Sequence, residues 1–519
     1  MKFTTHYVRP EAIIGLVFFL VLVACNPKNA DSTNQNGLTV EVIIPDDQKE
    51  NIQPKGRLFL MISTNKNQEP RFQLFPNPWE LPIIFAVNFD DFGTTSSLSL
   101  NSELDWSKTS DFNLDELPDG DYAVQVLWDQ DFSESRIDAP GNLFSKPQEI
   151  SFTGNEHLEM SLTEIIPERQ LVQHELVREV TLKSDTLSSW WNKPMKLKAS
   201  VLLPSNYNNT KSYPIRYNVA GYGGRYTRVE RLINDQEFMS WWTSDDSPQV
   251  INVFLDGEGP FGDSYQMDSA NSGPYGYALI NELIPYIENM YRNSSSSKTR
   301  FVDGCSTGGW VSLGLQLYYP DEFNGCFSYS PDAIEFENYQ LINIYKDKNM
   351  YTNEFGYLRP CMRDTYGEPL MSMKMFTQFE NVQGYSGTYL DSGDQFSAHT
   401  ALYSPKGENG LPKPLFDPVT GDIDAEVAEY WKKYDFKLYL KENWDEVGEK
   451  LQGKIYIWMG DMDHFYLNMA TREFQKYLET TENPKSDAVI EFAAMEGHCS
   501  FFNHKRVLDQ IQQRLKTIN

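Results

Sequence analysis

Short apolar or alternating runs mark the first third of the chain: Leu38–Ile44, Arg57–Ile62, Tyr122–Trp128 and Leu158–Leu162. Pro, Gly, Asn and Asp turn signals stand between them, Pro118-Asp119-Gly120-Asp121 among them, and no long helical period interrupts the series. Runs of this length separated by polar turns predict a β-sandwich over 38–165. From about Arg178 the rhythm changes. Strands are predicted at Lys196–Leu203, which ends on Pro204, and at Ile215–Ala220, Val250–Leu255, Thr299–Asp303, Gly325–Tyr329, Lys454–Met459 and Ala488–Met495. Helical spacing is predicted over Tyr275–Met290 with a kink at Pro285, and over Gly308–Tyr319, Leu467–Glu479 and Asn503–Ile518. Strands alternating with helices imply a mostly parallel sheet with helices on both faces, so 178–519 is read as an α/β domain. The stretch 333–450 breaks the alternation. It is rich in Tyr, Gly, Asp and Pro, with a helical piece near Asp424–Trp431, and an insert of this length between sheet strands reads as a lid or substrate wall. Arg359 and Arg363 within it are expected to influence selectivity.

The N-terminus follows a different logic. Lys2 and Arg9 precede an apolar run from Ala12 to Ala24, too short for a comfortable membrane span, and Cys25 ends it. Leu22-Val23-Ala24-Cys25 resembles a bacterial lipobox, in which the cysteine is acylated and becomes the new N-terminus. The expected organisation is a signal peptide over 1–24, lipidation at Cys25, a polar tether over 25–37, and an exported protein held on a bacterial membrane, periplasmic or cell-surface side. Export also places the remaining cysteines, Cys305, Cys326, Cys361 and Cys499, where disulfides persist.

Charge removes one class of partner. With 45 Lys+Arg against 73 Asp+Glu, the net charge is -28. Nucleic-acid affinity depends on phosphate neutralisation by basic residues, so no nucleic-acid partner is expected. The abundance of aromatic residues (11 Trp, 29 Tyr and 31 Phe) suits carbohydrate or aryl ligands, although large cores and strand faces account for most of them.

The candidate chemistry lies in the second domain. Gly304-Cys305-Ser306-Thr307-Gly308 is a Gly-x-Ser-x-Gly pentapeptide between a predicted strand and a predicted helix. A nucleophilic serine at the top of a sharp strand-to-helix turn needs small neighbours, and the helix N-terminus behind it favours developing negative charge. Partners follow in the order Ser, acid, His: Gly460-Asp461-Met462-Asp463 after one strand, Gly497-His498 after the last. The expected catalytic set is Ser306, Asp463 and His498. Asp461 is the rival acid and Asp332 a third; His464 lies too close to the acid turn to be preferred, and His504 is a rival base on the surface of the last helix. The oxyanion donors are expected to be the backbone N–H of Thr307 and that of Tyr222 or Gly223, in the glycine-rich turn Gly221-Tyr222-Gly223-Gly224. Asp461, Asp463 and His464 lack remote ligands for a metal site. Neither a cofactor nor a metal is expected.

From Lys196 to Ile518 the sequence resembles the putative-esterase branch of the α/β hydrolases, which includes esterase D, feruloyl and acetyl-xylan esterases and enterochelin esterase. The matching pieces are Gly221–Gly224, Glu282–Glu288, Gly304–Gly309, Tyr319–Gly325, Gly460–Asp463 and Gly497–Cys499. The resemblance implies an α/β-hydrolase fold and cofactor-free serine carboxylester hydrolysis. The chain departs from the branch in its 333–450 insert and in the aromatic Tyr222 after Gly221. Export and aromatic content point to an acyl ester as substrate, of an extracellular polysaccharide first, or else an aryl ester. Two other readings stand beside this one: a catalytically silent glycan-binding lipoprotein, and a peptidase or acyltransferase on the same triad. Cys305 adjoins the nucleophile and Cys499 adjoins the base, so a working triad would bring them within disulfide reach. Tannase-like feruloyl esterases bridge cysteines in the corresponding arrangement. The alternative is two free thiols used as small apolar residues.

Overall fold

The computed structural model describes residues 37–93, 97–292 and 296–518. The signal, Cys25 and almost all of the tether lie outside them. Among the described residues, the N-terminal region forms a three-stranded and a seven-stranded sheet. Both sheets contribute to one apolar core: Leu38, Val40, Val42 and Met160 from the smaller, and Leu58, Leu60, Val124, Val126 and Trp128 from the larger. This is the β-sandwich expected from the alternating runs. Strands at Ile83–Phe89 and Gln148–Phe152, which the sequence reading did not name, complete it.

Eight strands among the described residues build the large sheet of the second domain: β1 Val177–Ser184, β2 Met195–Leu202, β3 Ile215–Val219, β4 Ile251–Leu255, β5 Arg300–Cys305, β6 Cys326–Tyr329, β7 Ile455–Gly460 and β8 Val489–Ala493. Their spatial order is 1-2-4-3-5-6-7-8. β2 runs antiparallel to β1 and β4, and the pairs from β4 onward are parallel. This is an α/β-hydrolase fold. Side chains alternate between two cores. Val302, Cys326 and Ile457 face one, while Phe301, Phe327 and Trp458 face the other, as the period of two along a strand requires.

Five helices matter for the site: α1 Thr307–Tyr318, α2 Met373–Gln383, α3 Gln395–Tyr403, α4 Asn468–Glu479 and α5 His504–Ile518. Residues 307–317 of α1 are all buried, which is why its sequence is apolar on nearly every side, with only Thr307, Ser312 and Gln316 polar among them. The helix expected over Tyr275–Met290 is not broken at Pro285. It runs through as a short α segment flanked by wider π-helical turns at Leu279–Leu283 and Glu288–Arg292. Proline lacks an N–H and its ring displaces the carbonyl one turn back; a locally widened ladder accommodates both.

The insert is ordered rather than loop-like. Beyond the helix Ala425–Trp431, capped by Asp424, it holds α2, α3, the helix Phe436–Val447 and the hairpin Pro360–Arg363 with Pro369–Ser372. It touches both domains. Phe379 and Val382 of α2 join an apolar cluster with Phe59, Met61, Ile84 and Leu127 on the sandwich, while α3 and its surroundings reach the carboxyl edge of the large sheet.

Candidate active site

The turn after β3, Ser306 after β5, Asp332 after β6, Asp463 after β7 and His498 after β8 all leave the carboxyl ends of parallel strands. Register reinforces the convergence, pairing Val219 with Gly304 and Cys305 with Tyr329. Residues distant in sequence are therefore gathered at one sheet edge, where α/β folds place their ligands.

Ser306 has φ 61° and ψ -126°, a backbone conformation that costs on the order of 1–3 kcal/mol for a residue with a Cβ. Its surroundings hold it there. Ser306 N–H donates to Tyr329 O at 3.0 Å, and Ser306 O accepts from Trp310 N–H at 3.0 Å. The turn is tight enough that a Cβ on Gly304 would lie 2.6 Å from Val219 O. The strand, the turn and the small residues thus present the hydroxyl at the edge of the sheet.

His498 Nδ1 lies 2.6 Å from Asp463 Oδ2. Asp463 is fully buried, and its other oxygen accepts from the Phe465 N–H at 2.9 Å and the Leu467 N–H at 3.3 Å. Asp461 is engaged elsewhere, in an ion pair with Arg472 of α4. Burial alone would depress the His498 pKa, but the charge and hydrogen bond of Asp463, with the charge of Asp332, raise it above the ordinary imidazole value. Among the described residues His498 Nε2 has no hydrogen-bond partner. Ser306 Oγ lies 3.5 Å from Asp332 Oδ1 and makes no hydrogen bond to His498 in this structure. A disulfide joins Cys305 to Cys499, with Cα atoms 6.1 Å apart. It ties the serine turn to the histidine turn directly beside both side chains.

The glycine-rich turn after β3 lies against the elbow, with Gly221 facing Cys305 O and the Ser306 side chain. The Gly223 expectation needs correction. Its N–H donates to Asp263 Oδ2 at 3.2 Å, so it is engaged by a residue outside the turn and is not free for a substrate oxygen in this structure. The N–H groups of Tyr222 and Thr307 form no hydrogen bond among the described residues. His504 is not a surface residue of the last helix. It is half-buried with Nδ1 3.0 Å from Arg216 Nη2, and burial, Arg216 and Arg228 hold its pKa well below the ordinary value. His464 packs against Gly497. Arg359 pairs with Asp347 inside the insert. Arg363 donates to the carbonyls of Asp463 and Asp461 at 3.0 and 3.2 Å, bracing the acid turn rather than facing the pocket.

A pocket opens at Ser306. It is lined by Asp332 and, from the insert, by Tyr339, Gln340, Phe376, Gln395 and His399, with Phe465 and Leu467 opposite. Asp332 is buried and holds a cluster together. Its Oδ2 accepts from Tyr265 Oη at 2.8 Å, Thr307 Oγ1 at 3.0 Å and Gln395 Nε2 at 3.2 Å. Burial works against its charge, but His399, Tyr265 and the nearby His498 keep its pKa below the ordinary carboxylate value. The sequence marks Asp332 only as a third candidate acid and gives no sign of Tyr265, Tyr339, Gln340, Gln395 or His399. Asp332 alone carried a readable signal, a carboxylate just past a strand end.

The "putative esterase" family model matches residues 192–515, more than half of the chain. Solved structures with related architecture include a ferulic acid esterase, with 15% identity and TM-score 0.40 over 64% of this chain and 98% of that one. An S-formylglutathione hydrolase from Agrobacterium tumefaciens matches with 12% identity and TM-score 0.38 over 66% and 95%. A fluorophosphonate-binding serine hydrolase of Staphylococcus aureus matches with 15% identity and TM-score 0.36 over 66% and 98%. The family assignment rests on the family model.

Proposed function

The chain belongs to the putative esterase family, a family of ester hydrolases, and from that premise we propose that it is a serine carboxylester hydrolase working through an acyl-enzyme. The observation that carries the reading is the His498–Asp463 pair, with His498 Nε2 left unpartnered and its turn tied by the Cys305–Cys499 disulfide to the strained elbow that bears Ser306. In this reading Ser306 Oγ attacks the ester carbonyl carbon as His498 Nε2 takes its proton. Asp463 holds the ring through Nδ1 and stabilises the imidazolium. The carbonyl oxygen becomes an oxyanion facing the N–H groups of Thr307 and Tyr222. The tetrahedral intermediate collapses, His498 returns the proton to the leaving alcohol, and an acyl-Ser306 ester remains. Water deprotonated by His498 then attacks the acyl carbon, releasing the acid and regenerating Ser306. The Ser306–His498 hydrogen bond is assigned to the substrate complex, since such bonds are often long or misaligned before substrate arrives.

The working surroundings proposed are those of an exported enzyme anchored through an acylated Cys25, acting on acyl esters outside the cytoplasm. Labelled palmitate should enter the wild-type protein and not Cys25→Ser; equal labelling of both would remove the anchor from the proposal. For the chemistry, a fluorophosphonate should label the enzyme on Ser306, and Ser306→Ala should lose about six orders of magnitude in kcat, as loss of the nucleophile does in a serine protease. Labelling elsewhere, or a folded Ser306→Ala enzyme within tenfold of wild type on phenyl acetate, would overturn the reading.

A further inference from the structure

The pocket at Ser306 carries more polarity than ester hydrolysis requires. Its walls are aromatic, with Phe376, Phe396 and Phe465 around the opening. Inside it, two buried side-chain atoms have no hydrogen-bond partner among the described residues: Gln340 Oε1 and His399 Nε2, whose ionic neighbour Asp332 Oδ2 stands beyond hydrogen-bond distance at 3.6 Å. A third, Asp332 Oδ1, meets only Ser306 Oγ, at 3.5 Å. His399 is 6% exposed and Asp332 3%, so neither has bulk water to turn to. Leaving such atoms unmatched is costly, and native proteins rarely do so without a reason.

The arrangement is held in place from behind. Tyr339 Oη lies 2.6 Å from His399 Nδ1. With Tyr339 donating, the histidine proton sits on Nε2, 3.6 Å from Asp332 Oδ2. The Tyr265, Trp310 and Tyr403 rings pack in the same core. Gln340 is presented by a backbone with φ 57°, a conformation that non-glycine residues adopt seldom and that clusters at ligand sites. The pocket therefore offers one fixed donor, His399 Nε2–H, and two acceptors, Gln340 Oε1 and Asp332 Oδ1.

A hydroxyl group donates and accepts at once and matches that set. A carboxylate would meet the Asp332 charge, and an ammonium would leave Nε2–H without an acceptor. Size limits the ligand further. The space open to the centre of a water-sized group is about 40 Å³, roughly three times what one water needs, so the group that enters is short. We propose that His399, Gln340 and Asp332 form an acyl subsite for a short acyl group bearing a hydroxyl, so that the preferred substrates are hydroxyacyl esters. The proposal rests on the serine esterase reading above and names the substrate class of that same site.

The test compares kcat/KM for ethyl butanoate, ethyl 2-hydroxybutanoate, ethyl 3-hydroxybutanoate and ethyl 3-aminobutanoate, with phenyl acetate hydrolysis and fluorophosphonate labelling measured on the same preparation. The better hydroxybutanoate should exceed butanoate by at least about tenfold, a modest demand, since sites built to bind a hydroxyl discriminate far more strongly. In His399→Phe and Gln340→Gly that ratio should fall towards one. Glycine is chosen at 340 because it accepts the positive φ, so this variant carries the test if His399→Phe fails to fold. A wild-type ratio of one or less, a preference for the amine, or a ratio unchanged in a folded Gln340→Gly enzyme would overturn the subsite. In those cases phenyl acetate turnover and labelling at Ser306 would leave the esterase reading standing. Absence of both would remove the reading and the subsite together.

Discussion

The choice between Asp461 and Asp463 is made by single atoms. Asp463 gives one oxygen to His498 Nδ1 and the other to two backbone N–H groups, whereas Asp461 faces Arg472. Asp463→Asn should therefore lower kcat by roughly 10⁴, the loss seen when a serine protease acid becomes an amide. Asp461→Asn should stay within about tenfold of wild type, because a partly exposed ion pair contributes little. Steady-state kinetics on one ester decides it, and a severe Asp461→Asn with a mild Asp463→Asn would reverse the assignment. The pH profile belongs to the same scale. In the proposed mechanism His498 must be neutral to accept the Ser306 proton, and its pKa is raised. The acid limb of kcat/KM should lie above the ordinary imidazole value of 6.5, with activity rising as pH increases through it. Asp332 contributes to that elevation. Asp332→Asn should move the limb to lower pH; an unmoved limb would mean that Asp332 does not act electrostatically on His498.

At the scale of elements, the site is the meeting point of turns, and turns need ties. The Cys305–Cys499 bridge links positions 194 residues apart. Arg363, in the hairpin of the insert, holds the acid turn through two carbonyls. Replacing both cysteines by serine should cost about 2–5 kcal/mol of stability through the larger unfolded ensemble. It should also lower kcat while the protein remains folded, because the histidine turn loses its tether to the serine turn. Urea unfolding and phenyl acetate kinetics on the double variant measure the two effects separately. A destabilised enzyme with unchanged kcat would assign the bridge to folding alone.

At the scale of the whole molecule, the sandwich is built into the site rather than strung beside it. Glu134 of the sandwich pairs with Arg225 at 3.3 Å, just past the Gly221–Gly224 turn, and with Arg169 at 2.7 Å in the segment joining the domains. Arg136 lies where a Cβ on Gly223 would stand, and Gly223, at φ 67°, has none. The same loop packs on Gly393 of the insert, whose carbonyl accepts from Tyr222 Oη. A sandwich loop thus sets the position of the proposed oxyanion turn. Arg136→Ala should lower kcat about tenfold with little change in KM, since a displaced donor weakens transition-state contacts more than ground-state binding. Arg136→Lys should recover part of the loss. A change confined to KM or to thermal stability would make the loop a scaffold contact only.

The alternating runs, the strand–helix rhythm, the serine elbow and the chain order of serine, acid and histidine were legible without coordinates. Each is a local pattern or an order along the chain, governed by side-chain period and turn sterics. His498 and the turn holding Asp461 and Asp463 were legible for the same reason, lying just past strand ends, and the bond to His498 Nδ1 is what singles out Asp463. Tertiary structure decided the rest. Gly223 lost its N–H to Asp263, forty residues away. Arg359 and Arg363 were spent on the scaffold. The pocket drew on Tyr339, Gln340 and His399, with Tyr265 bonded to Asp332, and no motif marks any of them. The sandwich reached the oxyanion turn through Glu134 and Arg136. Such pairings arise where packed surfaces meet, and the distance between two surfaces in space leaves no period or spacing along the chain for a reader of the sequence to find.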